Sequence, residues 1–354
     1  MSEKKLPATI IFLLFISLFS CQFESSKRII ELPEGKKAVL LDGEQAIQAL
    51  TNDKKEGYFE KVSQLDIQIQ MKKAFPDSMT REEIVAAYKE ALAGDVMSFS
   101  SSDRDFLNKI IKDVGRMLNN ISVDLLPEEL KLIKVGGRYL GKNVFITREK
   151  CIVIPNYELQ KKNEKVLKSI LIHELFHIYS RYHPAQKEQL YELIGFHKLK
   201  TGPEQIEIPP VLAKTILLNP EGVDYHYTIS LEIGDKTANF IPITSANFHQ
   251  QSSRTKDYFP NLSVSFYEIA PTKSGTYRVI TAPDGSSPYT FFEISKSLFE
   301  KIGSNTDYLI HPDEILAEKF SLLVIYGLSE GPMSNQAKKQ SLMKNIRAII
   351  SNPN

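Results

Sequence analysis

His173, Glu174 and His177 stand in the order His-Glu-x-x-His inside residues 166 to about 181, a stretch whose apolar periodicity predicts a helix. Four residues advance a helix by roughly 400°, so the two imidazoles project from neighbouring turns about 6 Å apart and can share one ion. Two neutral nitrogen ligands suit zinc. Glu174 beside them can take a proton from a water that the metal has made acidic, with a pKa of about 7. The spacing therefore points to metal-assisted hydrolysis. The competing reading is a pair of ordinary core histidines. Residues 165–182 contain neither Pro nor Gly, and Ile170, Leu171, Leu175, Phe176 and Ile178 give a wide apolar surface. Burying two His and a Glu in such a helix without partners is costly, whereas a metal satisfies all three.

A zinc centre in a hydrolase takes a third protein ligand and leaves one position open. Two residues compete for that role. Glu314 lies in the run His311-Pro312-Asp313-Glu314-Ile315-Leu316-Ala317-Glu318, where Pro312 and Asp313 predict the start of a helix continuing through Leu322, Leu323 and Ile325. Glu318 falls one turn on, on the same face, where a carboxylate can accept a hydrogen bond from the second ring nitrogen of a ligating His. His183 has the spacing of the extended HExxHxxGxxH site. Ser180, however, stands where that site needs Gly, and an unbroken helix carries His183 about 15 Å along its axis from His173. Glu314 is the favoured ligand. Donors to a developing oxyanion would come from Tyr308 and His311 ahead of it, or from Tyr179, Tyr182 and His183 after the second His.

At these residues the chain resembles a known family. HELFH followed much later by Glu314 and Glu318 is similar to the gluzincin pattern of thermolysin-like and aminopeptidase-like zinc metallopeptidases, HExxH plus ExxxD, with Glu in place of the final Asp. The segments TREKCIVIP, HELFHIYSRYHP and YLIHPDEILAEKF together resemble a group of largely uncharacterised bacterial zinc metallopeptidases, over about residues 128–196 and 308–326. The resemblance implies one Zn²⁺ per chain held by His173, His177 and Glu314, with Glu174 as general base and Glu318 supporting a ligand. It further implies hydrolysis of peptide bonds in a peptide or protein substrate. Two other functions stay open: a non-catalytic surface lipoprotein with a structural zinc site and a β-rich binding module, and a zinc amidase or peptidase acting on cell-wall peptides.

The N-terminus reads as a processing signal. Lys4 and Lys5 precede an apolar run at residues 10–19, too short to span a bilayer but suited to a signal peptide. The run ends at Leu18-Phe19-Ser20-Cys21, which resembles a bacterial lipobox with Phe as a departure at the second position. Lipidation of Cys21 would anchor the exported protein to the cell envelope and leave Cys151 as the other cysteine. Forty-four Lys plus Arg against 43 Asp plus Glu gives a net charge of +1, without electrostatic support for nucleic-acid binding.

The expected fold class is α+β: a zincin-like domain, with its active-site helix beside a small sheet on a helical scaffold, carrying a β-rich insertion. The expected divisions are 1–20 signal peptide, 21–37 membrane tether, 38–200 the domain's N-terminal part, 201–305 the β-rich insertion and 306–354 closing helices. A capping box at Thr80 and Glu83 predicts a helix to about Leu92, and Ser102 or Asp103 caps a longer one through Phe106, Ile110, Val114, Met117 and Leu118. Short β-branched runs predict strands at 133–139, 143–147 and 151–155, the last two forming a hairpin. An exposed edge there could hold an extended substrate by backbone hydrogen bonds. A second helix is expected from Gln186 to about His197. Further strands are expected at 225–233, 237–243, 262–269, 277–282 and 289–294, with turns at Gly234-Asp235, Lys273-Ser274-Gly275 and Pro283-Asp284-Gly285.

Overall fold

The computed structural model describes residues 28–200, 206–222, 225–246, 262–303, 308–328 and 336–352, the side chains of 336–339 excepted. The expected signal peptide and Cys21 lie outside the described residues. Among the latter no helix is long and apolar enough to cross a membrane.

The chain is mixed α and β with two sheets, in agreement with the α+β class. The first sheet comprises β1 (Ile29–Glu31), β2 (Lys37–Leu41), β3 (Val96–Met97), β4 (Glu129–Val135), β5 (Ile146–Arg148) and β6 (Cys151–Pro155). Its order is β1-β2-β4-β6-β5, with β3 pairing the end of β4. β2, β4 and β6 run parallel, while β1 and the edge strand β5 are antiparallel to their neighbours. Every residue of β6 is buried, because both faces of the sheet are covered. Alternation sorts them: Ile152 and Ile154 join Leu130 and Leu132 in the main core, while Cys151 and Val153 join Ile133 and Val135 in a second core.

The helices in chain order are α1 (Gly43–Thr51), α2 (Tyr58–Lys61), α3 (Gln64–Met71), α4 (Arg81–Ala93), α5 (Ser101–Asn119), α6 (Asn156–Lys161), α7 (Glu164–Tyr182), α8 (Pro184–Leu193), α9 (Pro210–Ala213), α10 (Phe291–Ile302), α11 (Pro312–Tyr326) and α12 (Gln336–Ser351). The second core is roofed by α1, α3 and α4 through Ala46, Leu50, Ile67, Ile84 and Tyr88. The main core is filled from α5 by Ile110, Val114 and Leu118 and from α7 by Leu171, Leu175 and Phe176.

The second sheet comprises β7 (Phe196–Lys198), β8 (Ile206–Glu207), β9 (Tyr227–Ile233), β10 (Lys236–Ala246), β11 (Leu262–Pro271) and β12 (Tyr277–Val279) in the order β7-β9-β10-β11-β12-β8. One face sends Ile229, Leu231 and Phe240 into the main core, and the other packs Ile241, Ile243 and Ile269 into a third.

Four expectations are corrected. The supposed tether at 21–37 ends before residue 29: Ile29–Glu31 pairs with β2, and Ile30 and Leu32 are buried in the main core. The long scaffold helix is capped by Ser100, not Ser102 or Asp103, because Asp103 sits at the third helical position and closes a capping box with Ser100. The helix expected from Gln186 to about His197 ends at Leu193, since Gly195 turns the chain at φ 82° and Phe196–Lys198 pairs with β9. The strand expected at 289–294 is the start of α10, where the Glu293 carboxylate accepts the Thr290 N–H at 2.8 Å. The β-rich segment expected at 201–305 is packed into the body of the fold. It begins at Phe196, ends in a helix and shares its core with α7 and α11.

Candidate metal centre

Two helices build the site. Asn163 starts α7 by accepting the Val166 N–H, and from Leu171 onward His173 is its one residue before Tyr182 that is not buried. His311 starts α11: its Nδ1 accepts the Asp313 N–H at 3.2 Å, Pro312 occupies the first turn, and Asp313 and Glu314 follow where the helix N-terminus favours carboxylates. The helices are fixed side by side by Phe176 against Phe320, 5.3 Å between ring centroids, and by Ser169 hydrogen-bonded to Ser321 at 3.0 Å.

That packing brings His173, His177 and Glu314 together. Their rings and carboxylate place one donor atom each within 4.8 Å of the others, the arrangement a metal ion needs. His173 Nε2 lies 3.1 Å from Glu314 Oε2, and His177 Nε2 lies 3.4 Å from the same oxygen. Both imidazoles therefore turn the same nitrogen toward one point, with their planes crossed at 77°.

The outward nitrogens are held separately. His177 Nδ1 lies 2.7 Å from Asp313 Oδ2, which also accepts the Ser180 hydroxyl at 2.9 Å, while Asp313 Oδ1 accepts the Tyr191 hydroxyl at 2.8 Å. His173 Nδ1 lies 3.7 Å from Glu318 Oε2, a longer contact at the solvent side. Sequence reasoning missed this role of Asp313, although the residue directly precedes Glu314. An acid at the second position of a helix behind a Pro reads as helix-start chemistry, which hid its second role.

The electrostatics follow from burial against pairing. Burial raises the Asp313 carboxyl, but the Lys187 charge and the His177 hydrogen bond outweigh it and hold the group at about 2. Glu314 is likewise held well below its ordinary range by the two histidines against the cost of burial. Burial lowers His173, yet hydrogen bonds to Glu314 and Glu318 carry it up to about 9, and Glu314 and Asp313 raise His177 against the same opposition. Protons on these imidazoles thus stand where a cation would.

Glu174 is buried and its Oε2 has no hydrogen-bond partner among the described residues. Burial pushes its carboxyl up. An orphaned buried carboxylate oxygen runs against the rule that buried polar groups are paired, and this one lies within electrostatic reach of His173, His177 and Glu314. Donor set and orphan together fit a zinc ion with two imidazoles and one carboxylate.

The remaining candidates separate. The Tyr308 ring lies 6.3 Å from that of His173, and burial and Glu314 raise its hydroxyl well above the ordinary value. His311 serves as the cap of α11, and Gly222 packs so close to its ring that an added Cβ would fall within 2.5 Å. His183 is not in the three-donor group: it ends α7, stacks on Tyr179 at 4.3 Å and bonds the Tyr179 carbonyl through Nδ1. Tyr182 donates to Glu149. Two residues of the β-rich segment also reach the centre, and no sequence signal marked them. Asn219 Nδ2 donates to Glu314 Oε1 at 3.2 Å, and Glu221, whose carboxyl burial raises to about 7, accepts the Thr147 N–H at 2.8 Å.

No protein-family model matches this chain, and no solved structure matches it. A stretch of 78 residues is 33% identical to the disease resistance protein RPP2B of Arabidopsis thaliana, covering 22% of this chain and 6% of that protein. The chain thus spans a small fraction of that relative's length.

Proposed function

We propose that this chain is a zinc-dependent peptidase with a zincin-like, gluzincin-type site, anchored to the bacterial cell envelope through a lipid on Cys21 and acting on peptide or protein substrates there. The convergence of both Nε2 atoms on Glu314 Oε2, beside the unpartnered Glu174 carboxylate, carries the reading. His173, His177 and Glu314 would hold the ion. Bound zinc supplies Lewis acidity, polarising a peptide carbonyl and lowering the pKa of water.

The chain's own groups do the rest. Glu174, buried beside the two histidines, accepts the proton of the attacking water and returns it to the leaving nitrogen. Asp313 holds His177 in one tautomer by taking its Nδ1 proton in a hydrogen bond. The Tyr308 hydroxyl, on a ring whose centroid lies 6.3 Å from that of His173, would be the donor to the developing oxyanion. With three donors among the described residues, a zinc ion held here would keep one coordination position for substrate, and that is the ground for preferring catalysis to a closed structural site.

The direct test is Glu174→Gln in the purified protein assayed against a peptide library. The variant is expected to keep one zinc and lose turnover by about a hundredfold or more. Equal hydrolysis by variant and wild type would remove Glu174 from the mechanism.

A further inference from the structure

The edge strand β5 is the natural dock for an extended peptide, because an unpaired edge offers backbone donors and acceptors in register. In an antiparallel strand, one residue in two turns both its N–H and its C=O outward. Thr147 does so here, and both groups are already taken. Its N–H donates to Glu221 Oε1 at 2.8 Å, and its carbonyl accepts Arg148 Nη1 at 3.0 Å. Arg148 is itself fully buried, its guanidinium lying 4.0 Å from the Tyr58 ring centroid.

Glu221 arrives on a segment tied down along its length. Ile216 bridges Ser245 and its carbonyl accepts the Ser63 hydroxyl at 3.3 Å, while the Leu217 N–H bonds Thr244 and the Leu218 N–H bonds Asp66 Oδ2 at 2.8 Å. Asn219 holds Glu314, and Gly222 lies against His311. Between this segment and β5, the space lined by Ile146, Asn219, Pro220, Glu221, Tyr308 and Ile310 measures only about 30 Å³. That admits about one water and no side chain.

We propose that residues 216–222 are an inhibitory strap in which Glu221 occupies the open edge of β5 in place of a substrate backbone, so that the protein as folded is latent. The inference rests on the peptidase reading above. Activation is displacement of Glu221 from Thr147, which frees the outward N–H of the edge and enlarges the space lined by Asn219, Glu221 and Tyr308 in one movement. The displacing group is an extended peptide backbone whose carbonyl takes over the Thr147 N–H.

The test compares full-length zinc-loaded wild type, Glu221→Ala and Glu221→Gln on extended peptides and on a one-residue anilide too short to pair with β5. Glu221→Ala is expected to raise kcat/KM on the extended peptides by about tenfold, the equivalent of one charge-assisted hydrogen bond, and to leave the anilide unchanged. Glu221→Gln keeps an acceptor for Thr147 and is expected to stay near wild type. An equal or lower rate for Glu221→Ala on extended peptides overturns the strap, as does the same gain on the anilide. A rate for Glu221→Gln as high as that of Glu221→Ala overturns it too. If no form cleaves any substrate although all hold zinc, the peptidase reading fails by itself. The strap is then decided by fluorescence anisotropy of a labelled extended peptide: tighter binding to Glu221→Ala supports it and equal binding overturns it. Should Glu221→Ala fail to fold, judged by melting and zinc content, Glu221→Asp, whose shorter side chain withdraws the acceptor from the Thr147 N–H, is put through the same assays with the same expected direction.

Discussion

His177 Nδ1 lies 2.7 Å from Asp313 Oδ2, and the Asp313 carboxylate is held at its two oxygens by Ser180 and Tyr191. The acid that orients the second histidine is thus itself oriented from α7 and α8, and all of these groups are buried. Ser180 has a role of its own here, since it stands where a different class of HExxH site would need a glycine and instead donates to the acid of α11.

Asp313→Asn keeps the shape but replaces a charged acceptor with an amide. Zinc affinity is expected to fall by about 10- to 100-fold, the usual effect of losing an orienting carboxylate, with little change in fold. Competition against a chromophoric chelator measures this. Unchanged affinity would show that His177 needs no such support.

The pH dependence of stability follows from the shifted groups. In the metal-free protein His173 is held at about 9 against an ordinary 6.5, so its contribution is fully present below pH 6.5 and is lost as pH rises through 9. His177 is shifted in the same direction. Glu314 is depressed, so its contribution is present above its ordinary 4.5 and is lost as pH falls through its lowered value. Chelator-treated protein should therefore melt at a lower temperature at pH 9 than at pH 6. Zinc takes the place of the imidazole protons, so the gain in Tm from added zinc should widen over the same interval. A gain in Tm independent of pH would contradict this assignment.

The β1 strand makes residues 28–37 part of the fold. Ile30→Ala is expected to destabilise the protein by roughly 2 to 5 kcal/mol, as for a buried large-to-small change, in urea unfolding. A chain starting at residue 38 should lose stability by more, because β2 then becomes an uncovered edge over an exposed core. Full stability of that truncation would restore the tether reading.

Elements with a strong local signature were legible in the sequence. The Thr80–Glu83 capping box opens α4 where read, and the hairpin of β5 and β6 turns at Glu149, whose φ is 51°. Local signals failed where two readings shared the same residues. Tyr289 to Ile294 is β-branched and aromatic enough to suggest a strand, but Thr290 and Glu293 close a helix start. Ile29 and Ile30 look like any pair in a tether until β2 gives them a partner. At the centre, the HExxH residues and Glu314 could be read because their chemistry lies in their spacing and residue type. Asn219 and Glu221 could not, because it is the packing of the second sheet against α7 and α11 that carries them there.

The central claim is that His173, His177 and Glu314 grip one metal ion, and metal content tests it most directly. Elemental analysis of the protein purified without chelator, beside His173→Ala and Glu314→Ala, is expected to find about one zinc per chain in the wild type and much less in either variant. Wild type that carries no transition metal and takes up none from added Zn²⁺, or variants that hold as much as the wild type, would contradict the account.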